Sequence, residues 1–424
     1  MKGDGADNLR YALNLKNHNI YSGDINQPPQ PGFSRLPGVP LLMCISLLWS
    51  NPGSYGMLIP NILAGCGILL IVFAFLASFG MPLMRLRIFA ALFAWVPVAD
   101  YYASQHYPEV PATFLVVLSF AFLYKGFNGE KRKLYFILSG IAAGAAALFR
   151  PELLFHIPLA AGMLLLMKSD SANRIAASLL FIAGSVIALA PWGIRNMYQS
   201  GEMSLLGNNF FIETRTTGDG NKTNCANGLY KWLNTWHFRE DHVKMIAWDF
   251  RAADLDALPE FAFDSRDEKK RLMQWQMLPA YTCGVDDSLA ALADFKAEEN
   301  RLKTHFLLPL MRMFFLLVRD GRHDSLDTGG LPVWIVQSGY WVFAIFASLV
   351  NLFALGAIRI FRKLPPMLKI FLIFGGMRLA FFAFFYHVEN RYMMLWFPEF
   401  FLLAVFLFDT VSKQFRKTVT PVSS

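Results

Sequence analysis

Charge is what this 424-residue chain has least of: charged residues make up 17% of it, against 55% hydrophobic and 15% aromatic. That is too little charge to solubilise a domain of this size, so the composition excludes an ordinary soluble globular protein and predicts an all-α polytopic membrane protein. Cysteine is scarce as well. The four cysteines do not cluster with histidine at metal-ligand spacing, which leaves no structural zinc site to expect. No charged leader, short apolar run and small-residue cleavage site opens the chain, so no signal peptide is legible and insertion is expected to rely on internal spans. Internal repeats are missing too, and with them the inverted-repeat signature of many secondary transporters. The formal charge of +8 invites a nucleic-acid reading, but the basic residues stand in short clusters between apolar runs, so no nucleic-acid partner is expected.

What the chain does have is apolar runs, which a bilayer core requires at roughly 20 residues each. Nine candidate spans fall near 57–79, 83–99, 109–125, 134–149, 152–167, 175–191, 334–358, 367–386 and 393–410. Basic residues gather in alternate connections: Arg85 and Arg87; Lys125, Lys131, Arg132 and Lys133; Lys168 and Arg174; Arg359, Arg362, Lys363 and Lys369; Lys413, Arg416 and Lys417. These loops are expected to be cytoplasmic and the N-terminus outside. The division is a first outer-face loop at 1–55, a six-helix membrane module at 56–191, an outer-face domain at 192–333, a three-helix module at 334–411 and a cytoplasmic tail at 412–424. Crossing the membrane at KTHFLLPLMRMFFLLV (303–318) would invert every later basic loop, so this segment is expected to lie on the outer membrane surface. LPGVPLLMCISLLW (36–49) reads as a juxtamembrane helix. Cys44 and Cys66 are expected as small buried residues. Cys225 and Cys283 share the outer domain, where an oxidising compartment predicts their pairing as a disulfide.

The polar segments, set in order, carry a resemblance: GDGADNLRYALNLKNHNIYS followed by FSRLPGVPLLM, then SQHYPEVPATFLVVLSF, GAAALFRPELLF, ALAPWGIRNMYQSGE and HVENRYMMLWFPEF. This pattern resembles the GT-C membrane glycosyltransferases that use polyprenyl-phosphate-linked sugars, such as protein O-mannosyltransferases and the aminoarabinose transferases of lipid A. The resemblance implies a GT-C architecture and sugar transfer, with inversion, from a polyprenyl-phosphate donor to a lipid, glycan or protein acceptor. It also implies a multi-pass protein of the bacterial inner membrane, active on the periplasmic face. In that family a first-loop carboxylate acts as base or organises the acceptor, in some members with a divalent cation, Mg or Mn. Counted back from Ala12, the matching position is Asp4, with Asp7 as fallback; the aromatic residue the family carries four positions later is Asn8 here. The resembling enzymes also place a first span before this acidic segment. None is legible here, so the expectation is either an upstream helix or a truncated copy.

Displacing a polyprenyl phosphate from a sugar requires a base for the acceptor proton and cations for the departing phosphate. Asp4 and Glu109 are the candidate bases, with Asp100 able to substitute for Glu109. The bland alternatives are an N-cap at Asp4 for a helix over 6–15 and a favourable helix-dipole position for Glu109. Arg150, Arg195 and Arg391 are the phosphate candidates, because guanidinium pairs bidentately with phosphate oxygens; Lys16 and Arg35 are weaker ones. Snorkelling to headgroups is the alternative for all three arginines, and Glu152 is a ready partner for Arg150. His156 and His387 read as packing residues.

Independently of the family, Arg378 and Glu399 sit at similar depths on antiparallel spans, and unpaired charges there are costly, so they are expected to pair. Trp232 and Trp236, four apart, read as either a sugar-facing pair or one packed helix face. The rival function is a transporter or lipid-linked glycan flippase.

Overall fold

The structure, a computed structural model, describes residues 4–25, 28–32, 35–94, 106–166, 171–200, 212–216, 222–226, 228–239, 241–242, 245–246, 250, 253–278, 283–318, 333–385 and 390–419. Two compact units result: Met1–Gly207 with Asp320–Arg378 and Met393–Ser424, and Asn208–Arg319 with Leu379–Tyr392. Helices dominate both, as the composition requires.

In the first unit α1 (Asp4–His18) and α2 (Gly38–Ser46) precede the apolar helices α3 (Ile59–Ser78), α4 (Leu83–Ala94), α5 (Glu109–Asn128), α6 (Arg132–Ala147), α7 (His156–Leu166) and α8 (Ser171–Ser200). The helix expected over 6–15 therefore begins earlier, and Asp4 stands in its first turn rather than at its cap. Asn19 ends α1 in the left-handed conformation (φ 56°), which asparagine tolerates, and its N–H returns to Leu15 O at 3.0 Å.

Among the described residues, each of the nine segments expected to span is helical over most of its length. Among the described residues, five stretches are long and apolar enough to cross a membrane: Tyr55–Ser78, Glu109–Asn128, Asn173–Gln199, Ala344–Lys363 and Pro366–Phe384. The described residues of the other four expected segments fall short of that standard. Helices α4, α6 and α7 have 12, 16 and 11 residues, and the last helix carries Glu399, Asp409 and Lys413 along its apolar stretch. Large side chains such as Leu63, Leu70, Leu179 and Leu349 are exposed on the long helices, as lipid-facing residues are in a membrane protein.

Small residues set the packing of α6 on α8. A Cβ added to Gly140 would lie 1.9 Å from Phe181 O, one on Gly144 2.5 Å from Ser185 O, and one on Gly184 2.2 Å from Ile137 O. The two backbones approach as closely as glycine allows, the usual device between membrane helices. Helix α5 joins α6 through Ser139 Oγ, which donates to Ser119 O at 2.8 Å. Three further helices complete the list: α13 (Val333–Leu355), α14 (Pro366–Phe385) and α15 (Phe397–Val419). Phe120 and Phe374 bracket the buried His156 ring at 5.1 and 4.2 Å, in keeping with a packing role. Asp409 on α15 takes Arg85 of α4 at 2.7 Å and Lys413 at 2.6 Å.

The second unit holds a short antiparallel hairpin, β1 (Ile212–Thr216) and β2 (Lys222–Ala226), with Glu213 opposite Cys225, followed by α9 (Gly228–Asn234), α10 (Arg266–Gln276), α11 (Cys283–Glu299) and α12 (Leu308–Leu317). Ser265 caps α10 by accepting from Glu268 N, while the Glu268 carboxylate reaches back to Asp264 N at 2.7 Å, a variant of the capping box. Glu268 also takes Lys296 at 2.7 Å and the Trp232 indole at 3.3 Å, so its buried charge is compensated. Trp232 and Trp236 are both fully buried, their rings 5.5 Å apart. They form the unit's core and present no face to a sugar. The segment 303–318 is helical as expected, with one face sunk into the unit. Arg312 there is 1% exposed, and its guanidinium donates to the carbonyls of Asn234 (2.6 Å), His237 (3.0 Å) and Ala383 (3.2 Å). Burial lowers its pKa to about 10.

Candidate functional site

The first-loop chain folds back on itself just after α1. Asn14 Nδ2 donates to Ser22 O and Asp24 O, both at 2.9 Å, and the Gly32 N–H donates to Tyr21 O at 2.8 Å. The Tyr21 hydroxyl donates toward the carbonyls of Arg35 and Leu36, each at 3.0 Å. Burial pushes that hydroxyl's pKa well up, with Tyr11 adding to the effect, so it is a permanent donor. Around the same residue the Tyr11 ring lies at 4.6 Å and Trp192 meets it edge-on at 4.9 Å.

Arg195, one turn beyond Trp192 near the end of α8, completes this cluster. Its guanidinium lies 5.3 Å from the Tyr21 ring centroid and 5.0 Å from that of Trp192. Nη2 donates to Tyr21 O at 3.1 Å and Nη1 to Asn196 Oδ1 at 2.9 Å. Pro191, immediately before Trp192, removes one backbone donor from the helix.

A second cluster stands where α5 begins and α6 ends. Arg150 Nη1 donates to Glu109 Oε1 at 3.2 Å and Nε to Glu152 Oε1 at 2.6 Å. Glu109 is 0% exposed, Glu152 6% and Arg150 8%. Two carboxylates thus share one guanidinium out of solvent, where an isolated charge would be costly. The clusters are linked through the chain: Gly38 N at the start of α2 donates to Leu148 O at 2.9 Å, two residues before Arg150. A Cβ at position 38 would lie 2.5 Å from the Phe149 ring, so glycine is required for this approach. On the other side, Thr113 Oγ1, one turn along from Glu109, lies 3.1 Å from Met394 O.

The expected site residues therefore fall out as follows. Glu109 and Arg150 come together, and Arg195 is held by the first loop. Asp7 is engaged by Arg10 at 2.6 Å and Arg35 at 2.8 Å, so the fallback base lies between two cations. Lys16 donates to Leu47 O at 2.8 Å. Arg378 and Glu399 form a buried ion pair at 2.9 Å. The side chains of Asp4, Cys225, Cys283 and Arg391, with all of Asp100 and His387, lie outside the described residues. Among the described residues no group of three or more His, Cys, Asp and Glu comes together to hold a metal ion. The donor set there does not suit Mg or Mn, since Glu109 and Glu152 already share a guanidinium.

Sequence reasoning missed Tyr21 and Trp192, which orient Arg195, and His106, three residues before Glu109, whose imidazole burial holds toward the neutral form. An isolated tyrosine in an otherwise polar loop and the Pro-Trp step before Arg195 were the available signals.

No family model and no curated protein matches the chain. Among solved structures the chain is similar to ArnT from Cupriavidus metallidurans: its apo crystal structure aligns over 97% of this chain and 73% of that one, at 12% identity and a TM-score of 0.42. The crystal structure of ArnT bound to undecaprenyl phosphate aligns over 98% and 74%, again at 12% identity and a TM-score of 0.42. At that distance a functional reading rests on this chain's own residues.

Proposed function

We propose that this multi-pass membrane protein is a glycosyltransferase of GT-C type, moving a sugar from a polyprenyl-phosphate carrier to a lipid, glycan or protein acceptor on the periplasmic face of a bacterial inner membrane. The observation that carries the reading is the gathering, inside one unit, of polar segments distant in sequence: the first loop on Leu148 and Arg195, Glu109 on Arg150, and Thr113 beside Met394. Scattered helix caps and snorkelling arginines have no reason to converge.

In the proposed reaction a carboxylate, Asp4 or Glu109, takes the proton from the acceptor hydroxyl. The acceptor oxygen attacks the anomeric carbon, and the bond to the carrier oxygen breaks on the opposite side, inverting the configuration. The electron pair leaves with the polyprenyl phosphate, whose added charge Arg195 and Arg391 receive. Arg150, grouped with these arginines from sequence, is engaged by two carboxylates, and its proposed role is to hold Glu109. No step is routed through a metal. Residues 192–333 serve as the outer-face domain that selects the acceptor.

The transporter or flippase reading is favoured by one observation, the buried Arg378–Glu399 pair, because intramembrane charges often line transport paths. Incubating the purified protein with a panel of polyprenyl-phosphate sugars and a membrane extract separates the two. Sugar transfer that falls in Asp4→Asn and Glu109→Gln supports the enzyme, and lipid translocation without transfer supports the transporter.

A further inference from the structure

We propose that the end of α5 opposite Glu109 carries a binding site for the phosphate headgroup of an anionic phospholipid, in the cleft where α5 turns into α6. The site lies apart from the transfer chemistry and does not depend on that reading.

Helix α5 runs 20 residues from Glu109 to Asn128 and is apolar enough to cross a membrane. Its length is about 30 Å, the thickness of a bilayer's hydrocarbon core. With Glu109 at one membrane surface, Lys125 and Asn128 stand at the other, at the depth of the headgroups. There the α5–α6 turn forms an open cleft of about 420 Å³ whose lining includes Tyr124, Lys125, Asn128, Glu130, Lys131 and Tyr135. That volume is typical of a small-ligand site.

Charge decides what such a cleft takes. Between positions 125 and 133 the chain carries Lys125, Lys131, Arg132 and Lys133 against a single carboxylate, Glu130, and none of the five forms an ion pair among the described residues. Topology alone accounts for basic residues in this turn, but not for a mounted one. The Lys125 ammonium lies 5.7 Å from the centroid of the Tyr135 ring, and that ring stacks on Phe122 at 6.2 Å with 23° between the planes. The turn beneath is tied by Gly129 N, which donates to Lys125 O at 2.7 Å, and by Asn128 Nδ2, which donates to Tyr124 O at 3.0 Å. Phe127 meets Phe136 edge-on at 5.6 Å across the same hairpin. Lys125 is thus held beside the cleft by an aromatic ring, with its ammonium hydrogens left to meet phosphate oxygens, and Lys131 adds a second cation from the far side of the turn.

Apolar surface adjoins these cations. Leu134, next to Tyr135, is 48% exposed, and Phe122 and Phe127 are half-buried. Acyl chains use such a surface and a free phosphate does not. Tyrosines are at home at this depth, and basic clefts at the ends of membrane helices suit anionic headgroups.

The test is native mass spectrometry of the full, delipidated chain, titrated with phosphatidylglycerol and, separately, with phosphatidylcholine of the same acyl chains. Phosphatidylglycerol should bind at least tenfold more tightly. Lys125→Gln and Lys131→Gln should each weaken it roughly fivefold, and Tyr135→Leu about threefold. Arg359→Gln with Arg362→Gln, which removes two charges from another basic loop, should stay within about twofold of wild type. Equal affinity for the two lipids, or wild-type affinity in both lysine variants, overturns the site. An equal loss in the arginine control overturns it too, in favour of diffuse attraction. Glycerol phosphate that displaces the lipid at equal concentration overturns the assignment to a phospholipid and makes the cleft a site for a free phosphate.

Discussion

Glu109 and Arg150 stand 41 positions apart in the chain and meet at 3.2 Å, with no surface of Glu109 exposed. Arg150 also binds Glu152 at 2.6 Å, so its removal takes a cation away from two buried carboxylates at once. Arg150→Ala should therefore cost about 3–5 kcal/mol of stability, with transfer lost alongside. Glu109→Gln, nearly isosteric, should fold and yet lose roughly 10²–10⁴-fold in transfer rate. Thermal unfolding and single-turnover rates on the same preparations separate the two effects; a Glu109→Gln protein of normal rate would reduce Glu109 to a structural partner.

Arg378 Nη2 donates to Glu399 Oε1 at 2.9 Å, and both side chains are almost fully buried. Removing one member leaves a charge without its counter-ion in a low-dielectric setting. Arg378→Ala and Glu399→Ala should each destabilise by about 3–5 kcal/mol, whereas Arg378→Met combined with Glu399→Leu should recover most of that. Melting temperatures in detergent decide it, and a double variant as unstable as the singles argues that the pair does more than satisfy its own charges.

The α6–α8 contact depends on the absence of side chains at Gly140, Gly144 and Gly184. Gly140→Leu must push against Phe181 O and separate the helices, at a cost of about 1–3 kcal/mol or more. Gly162, which has open space around its Cβ position, is the control: Gly162→Ala should be neutral or slightly stabilising. Equal melting temperatures for Gly140→Leu and wild type contradict the close approach.

In the second unit, His242 sits against Trp236, Phe238 and Phe261, and burial, then the neighbouring Arg239, lowers its pKa from 6.5 to about 4, with Asp241 opposing. A folded state that refuses the proton loses stability as pH falls. The loss should begin near pH 6.5, where the unfolded chain protonates, run to about pH 4, and level off below it. Its size should be on the order of 2 kcal/mol, and His242→Phe should flatten it. Melting curves of both proteins across that range are the check; parallel curves mean that other groups carry the acid sensitivity.

Local periodicity and depth were legible in the sequence, and long-range contact was not. Apolar runs marked nine segments as spans, of which five are long and apolar enough to cross a membrane among the described residues, and a count of helical rise put Arg378 level with Glu399. The spacing of Trp232 and Trp236 left a sugar-facing pair and a packed face both open, and the burial of both rings decides for the packed face. Nothing local announces that Tyr21 will meet Arg195 or that Arg85 will meet Asp409, 324 positions away, because such pairs are chosen by how helices pack. Arg312 is the clearest case. Its sequence neighbourhood reads as a membrane-surface helix, and only the three carbonyls it reaches explain its burial. The hairpin at 212–226 escaped notice because its strands are short and polar, without apolar alternation.

The central claim is that Glu109 and Arg195 belong to one sugar-transfer site, and its most direct measurement is a single-turnover assay with a radiolabelled polyprenyl-phosphate sugar and a membrane-extract acceptor. The account predicts transfer by the wild-type protein, carrier binding retained but transfer lost in Glu109→Gln, and carrier binding weakened in Arg195→Gln. Carrier that is bound or moved across the bilayer with no sugar transferred from any donor contradicts it.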